Sequence, residues 1–238
     1  MSTMNFLYKR ECEITDSIRV VIPTVGEILQ DEDTYYSAVQ FLTAQPIDFM
    51  VQLDDAGVDF TTINEWDLFL LLFPALAKLD THLIFSDLDL NKFVMAKSEE
   101  DERVVLVNPE SGAVIDRTIL AQIANALRKM HHLEINRKKP ANEEAKAFML
   151  ERARVKARRQ KNRKRDSEIE SLIIAMVNTE QYKYDFGSTL KLSIYQFNES
   201  VRQIIKKIDY DNRMHGVYAG TINPKELSQD DLNWLVHK

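Results

Sequence analysis

The residues whose type and spacing could do chemistry are mostly cations. Arg152, Arg154, Lys156, Arg158, Arg159, Lys161, Arg163, Lys164 and Arg165 place nine basic side chains in fourteen positions. On a helix, Arg152, Lys156, Arg159 and Arg163 share one face, and Arg154, Arg158, Lys161 and Arg165 share another. Within the run, only Ala153, Val155 and Ala157 are apolar. Such a helix projects into solvent or lies against something acidic. Phosphate backbones suit it, because each Lys or Arg contact releases condensed counterions. Nucleic-acid modules usually add aromatic rings for stacking, and none occurs between Phe148 and Tyr182. The favoured partner is therefore an acidic protein surface, with nucleic acid as the alternative.

The other candidates carry less chemistry. His131 and His132 precede Glu134, but adjacent residues on a helix point about 100° apart and cannot easily share an ion. Zinc pairs on helices prefer i, i+4 spacing. Two histidines at a helix end are better explained by the helix dipole. Asp54, Asp55 and Asp59, and separately Asp87 and Asp89, could hold Mg²⁺ or act as acid and base. Each sits at an expected helix end or turn, where capping is the ordinary role. The sequence has no P-loop, GxGxxG, GxSxG or HExxH motif, and Cys12 has no triad context. The reading is of a protein that is not an enzyme, with no catalytic residue, no metal site and no cofactor.

The scaffold for these residues is set by composition. The chain has 238 residues, 45% hydrophobic and 29% charged, with 6 Gly and 6 Pro. So few breakers predict long regular elements, mainly helices. The charge is unevenly spread. Residues 1–127 hold 8 basic and 22 acidic side chains, a balance of −14. Residues 128–165 hold 15 and 4, a balance of +11; residues 166–238 hold 8 and 11, a balance of −3. Such asymmetry points to a polyanion or acidic partner, or to pairing of the basic middle with the acidic part of the same fold or a neighbouring subunit. The longest apolar run, Leu68–Ala77, is far short of the roughly 20 residues a bilayer needs. With no leader-like N-terminus and a single cysteine, the expectation is a protein of a reducing, cytoplasm-like compartment.

The fold class expected is α+β and predominantly helical. Ile18–Ile22 is a β-branched run stopped by Pro23. Thr24 with Glu27, Thr62 with Glu65, Ser167 with Glu170 and Ser193 with Gln196 have the capping-box form, each opening a helix. Further helices follow over Asp33–Ala44 and from Pro46 to Gly57. The helix after Thr62 is apolar nearly all round, so it is central to a core and leaves no solvent face, with a partner site on one face as the alternative; Pro74 should end or kink it. Phe93–Lys97, Arg103–Val107 and Ala113–Ile115 read as a small antiparallel β-meander, with turns at 98–101 and 108–112. Asp116 caps a helix with Leu120, Ile123, Leu127 and Met130 in one stripe. Lys138-Lys139-Pro140 breaks the chain, dividing an acidic α+β unit, 1–139, from a helical unit, 140–238. The second unit opens with the basic helix, capped by Asn142 and about 36 Å long if it reaches Arg165. Gly216 and Gly220 should flank a turn. Ser228 should cap a last short helix whose Trp234 docks on the core of its own chain, or else on a partner.

Two groups of segments carry a resemblance. One is Gln52–Phe60, Trp66–Phe73 and Leu83–Leu90. The other is Leu172–Glu180, Leu192–Asn198, Gly216–Gly220 and Leu232–Trp234. In these the chain resembles proteins encoded in the virion-morphogenesis region of phages and prophages of Gram-positive bacteria. In style it is similar to tail assembly chaperones. The resemblance implies a non-enzymatic tail assembly chaperone or minor structural protein. Its partners would be a phage structural protein, such as the tape measure or a tail protein, and a further copy of itself. It would work in the host bacterial cytoplasm during assembly, or in the virion. No catalytic motif comes with the resemblance, and no site residue is carried over from it.

Overall fold

The computed structural model describes residues 5–97, 103–136, 138–161 and 167–235, with residues 160 and 161 as backbone alone. The architecture is α+β and predominantly helical. It opens with an antiparallel hairpin, β1 (Glu11–Glu13) and β2 (Arg19–Val21). Ile18, Val20 and Ile22 alternate inward, and Cys12, opposite Val20, is buried on the same side. Pro23 ends the run, and Thr24 starts α1 (Val25–Gln30) with a reciprocal capping box. The Thr24 amide donates to the Glu27 carboxylate at 2.6 Å, and the Glu27 amide donates to Thr24 Oγ1 at 3.2 Å. This corner is tied to a distant part of the chain: the Val25 and Gly26 amides donate to the carbonyls of Leu192 and Leu190, each at 2.9 Å. The approach explains Gly26, because a Cβ there would stand 3.0 Å from the Leu190 oxygen.

Asp31 caps α2 (Glu32–Leu42), which turns Tyr35, Ala38, Val39 and Leu42 inward. Pro46 opens a 3-10 turn (Pro46–Phe49) that runs into α3 (Met50–Asp55), and Gly57 leaves it with φ +73°. Helix α4 (Glu65–Leu76) departs from expectation in three ways. Its cap is Asn64, whose Oδ1 accepts from the Asp67 amide at 3.0 Å. Thr61 and Thr62 are instead drawn into a turn around Asp59. The helix continues past Pro74 by two residues, since a missing N–H so near the end removes only one bond of the last turn. Leu71 is 58% exposed while Leu68, Phe69, Phe73 and Leu76 are buried, so α4 does have a solvent face.

An unforeseen short helix, α5 (His82–Phe85), seats Ile84 and Phe85 in the core. The meander is as expected: β3 (Val94–Lys97), β4 (Val104–Val107) and β5 (Val114–Ile115) pair antiparallel in that order. Leu106 lies opposite Ile115, and both are buried. The turn at 98–101 lies outside the described residues. Asp116 caps α6 (Arg117–His131), accepting from the Ile119 amide at 2.7 Å, and the expected stripe of Leu120, Ile123, Leu127 and Met130 is buried. Arg128 donates to the Thr43 carbonyl at 3.0 Å, fastening α6 to the end of α2.

Then come α7 (Glu143–Lys161), α8 (Glu168–Val177), the unforeseen α9 (Phe186–Thr189) and α10 (Ile194–Tyr218). Ser167 and Ser193 cap α8 and α10. Helix α10 packs on α6, and Asn198 Nδ2 donates to the Met130 carbonyl at 2.9 Å. One buried cluster joins Val20, Ile28, Leu127 and Met130 to Ile173, Ile194 and Phe197, so the core runs across the Lys138–Pro140 break. Gly216 lies inside α10 rather than at a turn. Over residues 228–235 the chain makes turns, not an α-helix, and Trp234 lies half-exposed along α10 with Lys207 Nζ 5.9 Å from its ring.

Phe69 is 2% exposed between the rings of Trp66 and Phe73, with centroids 5.6 and 5.8 Å away. Phe69→Asp should therefore abolish folding, since an unpaired buried carboxylate costs several kcal/mol or more. Leu71→Asp, on the solvent face, should change stability by no more than about 0.5 kcal/mol. Urea denaturation of the two variants checks the contrast.

Candidate functional site

The basic helix is held by its N-terminal half. Leu150 is buried in a second, smaller cluster with Ala44, Ile47, Phe49, Leu53, Phe60 and Leu68. One turn before and one turn after Leu150, the same face of α7 carries Lys146 and Arg154. Lys146 Nζ donates to Asp59 Oδ2 at 2.7 Å. Arg154 Nη2 donates to Asp54 Oδ2 at 2.8 Å and to Asp55 Oδ1 at 2.5 Å. An apolar side chain is thus flanked by an ion pair at each end.

The electrostatics have a local cause. Asp54 and Asp55 form the last turn of α3, where the helix dipole is negative and disfavours carboxylates. Arg154 supplies the missing positive charge, and Asp55 and then Asp54 raise its pKa in return. Asp59 is lowered from 3.8 to about 2, first by the Lys146 ammonium and then by the amide and hydroxyl of Thr61. The helix-end role expected for Asp54 and Asp55 is therefore replaced by ion pairing, while Asp59 both organises its turn and holds α7.

Past Arg154 the helix leaves the core. Lys156, Arg158 and Arg159 are exposed, as is Arg152, whose guanidinium lies 5.6 Å from the centre of the Phe148 ring. Lys161 is described by its backbone only, and Arg163, Lys164 and Arg165 lie outside the described residues. Of the basic run, Arg154 is engaged internally and Arg152, Lys156, Arg158 and Arg159 face outward. The sequence reading missed Lys146 and the seat of Leu150. The signal was present: Lys146, Leu150 and Arg154 repeat at i, i+4 and i+8, with Met149 and Ala153 beside them.

Of the remaining candidates, His131, His132 and Asp89 have structural roles. His131 Nε2 is 2.9 Å from the Tyr35 hydroxyl, with the Tyr36 ring 5.6 Å away. His132, with φ +51°, ends α6 and turns toward Tyr195, so the two rings diverge. Asp89 caps the 3-10 turn Leu90–Lys92. Among the described residues, no three His, Cys, Asp or Glu side chains gather as a metal-holding group, and no helix is long and apolar enough to cross a membrane.

Residues 160–237 match the family model of the YomV second domain. YomV is a Bacillus phage or prophage protein. The match begins in the last turn of α7 and covers α8, α9 and α10. It agrees with the phage association that the resemblance implied. No curated protein and no solved structure matches the chain.

Two measurements test this geometry. Arg154→Glu should raise amide hydrogen exchange over residues 143–154, and adding Asp54→Lys and Asp55→Lys should restore protection. Burial, and then the charge of His132, push the His131 pKa down from 6.5 to about 4. The unfolded chain binds this proton more readily, so the neutral ring stabilises the fold fully above pH 6.5. That contribution is lost as pH falls toward 4. At about 1.4 kcal/mol per unit, the loss is on the order of 3 kcal/mol. His131→Gln, which still offers Tyr35 a hydrogen bond, should flatten this part of the stability curve.

Proposed function

We propose that the protein is a non-enzymatic phage assembly protein, a tail assembly chaperone or minor structural protein, that works by presenting α7 to an acidic surface on a phage structural protein. The observation that carries this reading is the anchorage of α7. With Lys146, Leu150 and Arg154 held, the outward cations ride on an ordered helix and lose little conformational freedom on binding. The YomV match supports the phage setting. A tape-measure or tail protein, met in the host cytoplasm, is the partner class the resemblance implies.

A second reading, binding of nucleic acid, is favoured by the exposed cations Lys156, Arg158 and Arg159, and by Arg152 lying against the ring of Phe148. The whole chain has a net charge of −6, and the acidic N-terminal part opposes a polyanion within about 8 Å, the Debye length at physiological salt. One variant separates the two. Arg158→Glu, Arg159→Glu, Arg163→Glu and Lys164→Glu together should lower phage yield and abolish co-purification with the tape-measure or tail protein. Wild-type binding to DNA at physiological salt should stay in the range of about 10⁻⁴–10⁻⁶ M expected of any cationic patch. Sub-micromolar DNA binding that this variant loses would instead establish the second reading.

A further inference from the structure

We propose that the outer face of α7 is a docking groove for an acidic amphipathic helix of a partner protein. This rests on the reading of α7 as a partner-binding element and specifies the chemistry of what it binds. At about 100° per residue, Phe148, Arg152, Val155, Lys156 and Arg159 fall within an arc of roughly 100° centred opposite Leu150. Two of the five are apolar and exposed: Phe148 by 58% and Val155 by 40%. They lie two turns apart, the spacing at which the apolar side chains of a second helix laid along α7 recur. Met50 of α3 and Met149 extend the same surface into a shallow groove. Their thioethers, half-buried against the second cluster, can adapt to the shape of an incoming apolar side chain.

The charges then choose the occupant. Arg152, Lys156 and Arg159 border the apolar positions, with Glu151 as the one carboxylate among the residues lining the groove. A helix with a leucine-type stripe flanked by Asp or Glu satisfies both sets of groups at once. A nucleic-acid backbone meets the cations but leaves Val155, Met50 and Met149 without a counterpart. Arg152, stacked near the Phe148 ring, is already placed beside the apolar anchor it would serve. From Phe148 to Arg159 the face is about 16 Å long, enough for three turns of a partner.

The test uses the full chain and a fluorescein-labelled helical peptide of about 18 residues, with leucine at i, i+3, i+4 and i+7 and glutamate elsewhere. A lysine counterpart of the peptide and a labelled DNA duplex serve as comparisons. The glutamate peptide should bind, the lysine peptide should not, and the duplex should bind only weakly at physiological salt. Phe148→Ala with Val155→Ala should weaken glutamate-peptide binding about thirtyfold, as loss of a central apolar anchor does. Arg152→Glu with Arg159→Glu should abolish it, with unchanged circular dichroism in both variants. Failure of the glutamate peptide to bind, or binding unaffected by Phe148→Ala and Val155→Ala, overturns the proposal. So does tight duplex binding that those two substitutions leave intact. If phage yield still depends on the cations of α7 after such a result, the assembly role stands and only the acidic helix is lost.

Discussion

Burial of the apolar stripe of α6 is the interaction on which the rest of the fold depends. Ile123, Leu127 and Met130 have no solvent contact, and they do not fill a core alone. Helix α2 closes on them from one side, through Tyr35 and the bond from Arg128 to Thr43. Helix α10 closes from another, with Asn198 satisfying the Met130 carbonyl at the very end of the helix. The ends of α6 are finished with equal care, by Asp116 at the start and left-handed His132 at the close. Helices α2 and α10, far apart in the chain, are both seated on this one helix, so damage to its stripe would be felt in both.

The charge asymmetry of the chain is partly resolved within the molecule and partly left open. Lys146 and Arg154 spend their charge on Asp59, Asp54 and Asp55, and each pair flanks an apolar contact that excludes some of the water around it. Exposed ion pairs alone would hold a helix weakly. Their value here is in fixing the rotation of α7 about its axis, because only one face can meet both Asp59 and the end of α3. That rotation decides which cations look outward.

Much of this was legible wherever the signal is local. The caps at Thr24, Asp116 and Ser193, the α6 stripe and the three-stranded meander each rest on neighbours within a few residues. Asn64 was harder to read, because Thr62 with Glu65 and Asn64 with Asp67 offer the same spacing. The choice is made by Asp59, which claims Thr61 and Thr62 first. Helices α5 and α9 have four residues each, too short to show a period. At the site, the cations could be read as a group, but not which of them were already engaged. Arg154 finds Asp54 at a separation of 100 residues, and nothing in the spacing of either segment encodes that meeting.

The close approach at Gly26 bears on modularity. The main chain of α1 is bonded to the Leu190–Leu192 loop, and α10 leaves from that loop into the core. The region shared with the YomV second domain therefore arrives with one side built to fit a particular seat. A recombination event that moved it onto another protein would succeed only if the new neighbour offered a glycine at the point of contact and an apolar stripe to replace Leu127 and Met130. Genetic exchange should accordingly carry the two halves of this chain together, or select pairs whose contact surfaces have already been matched.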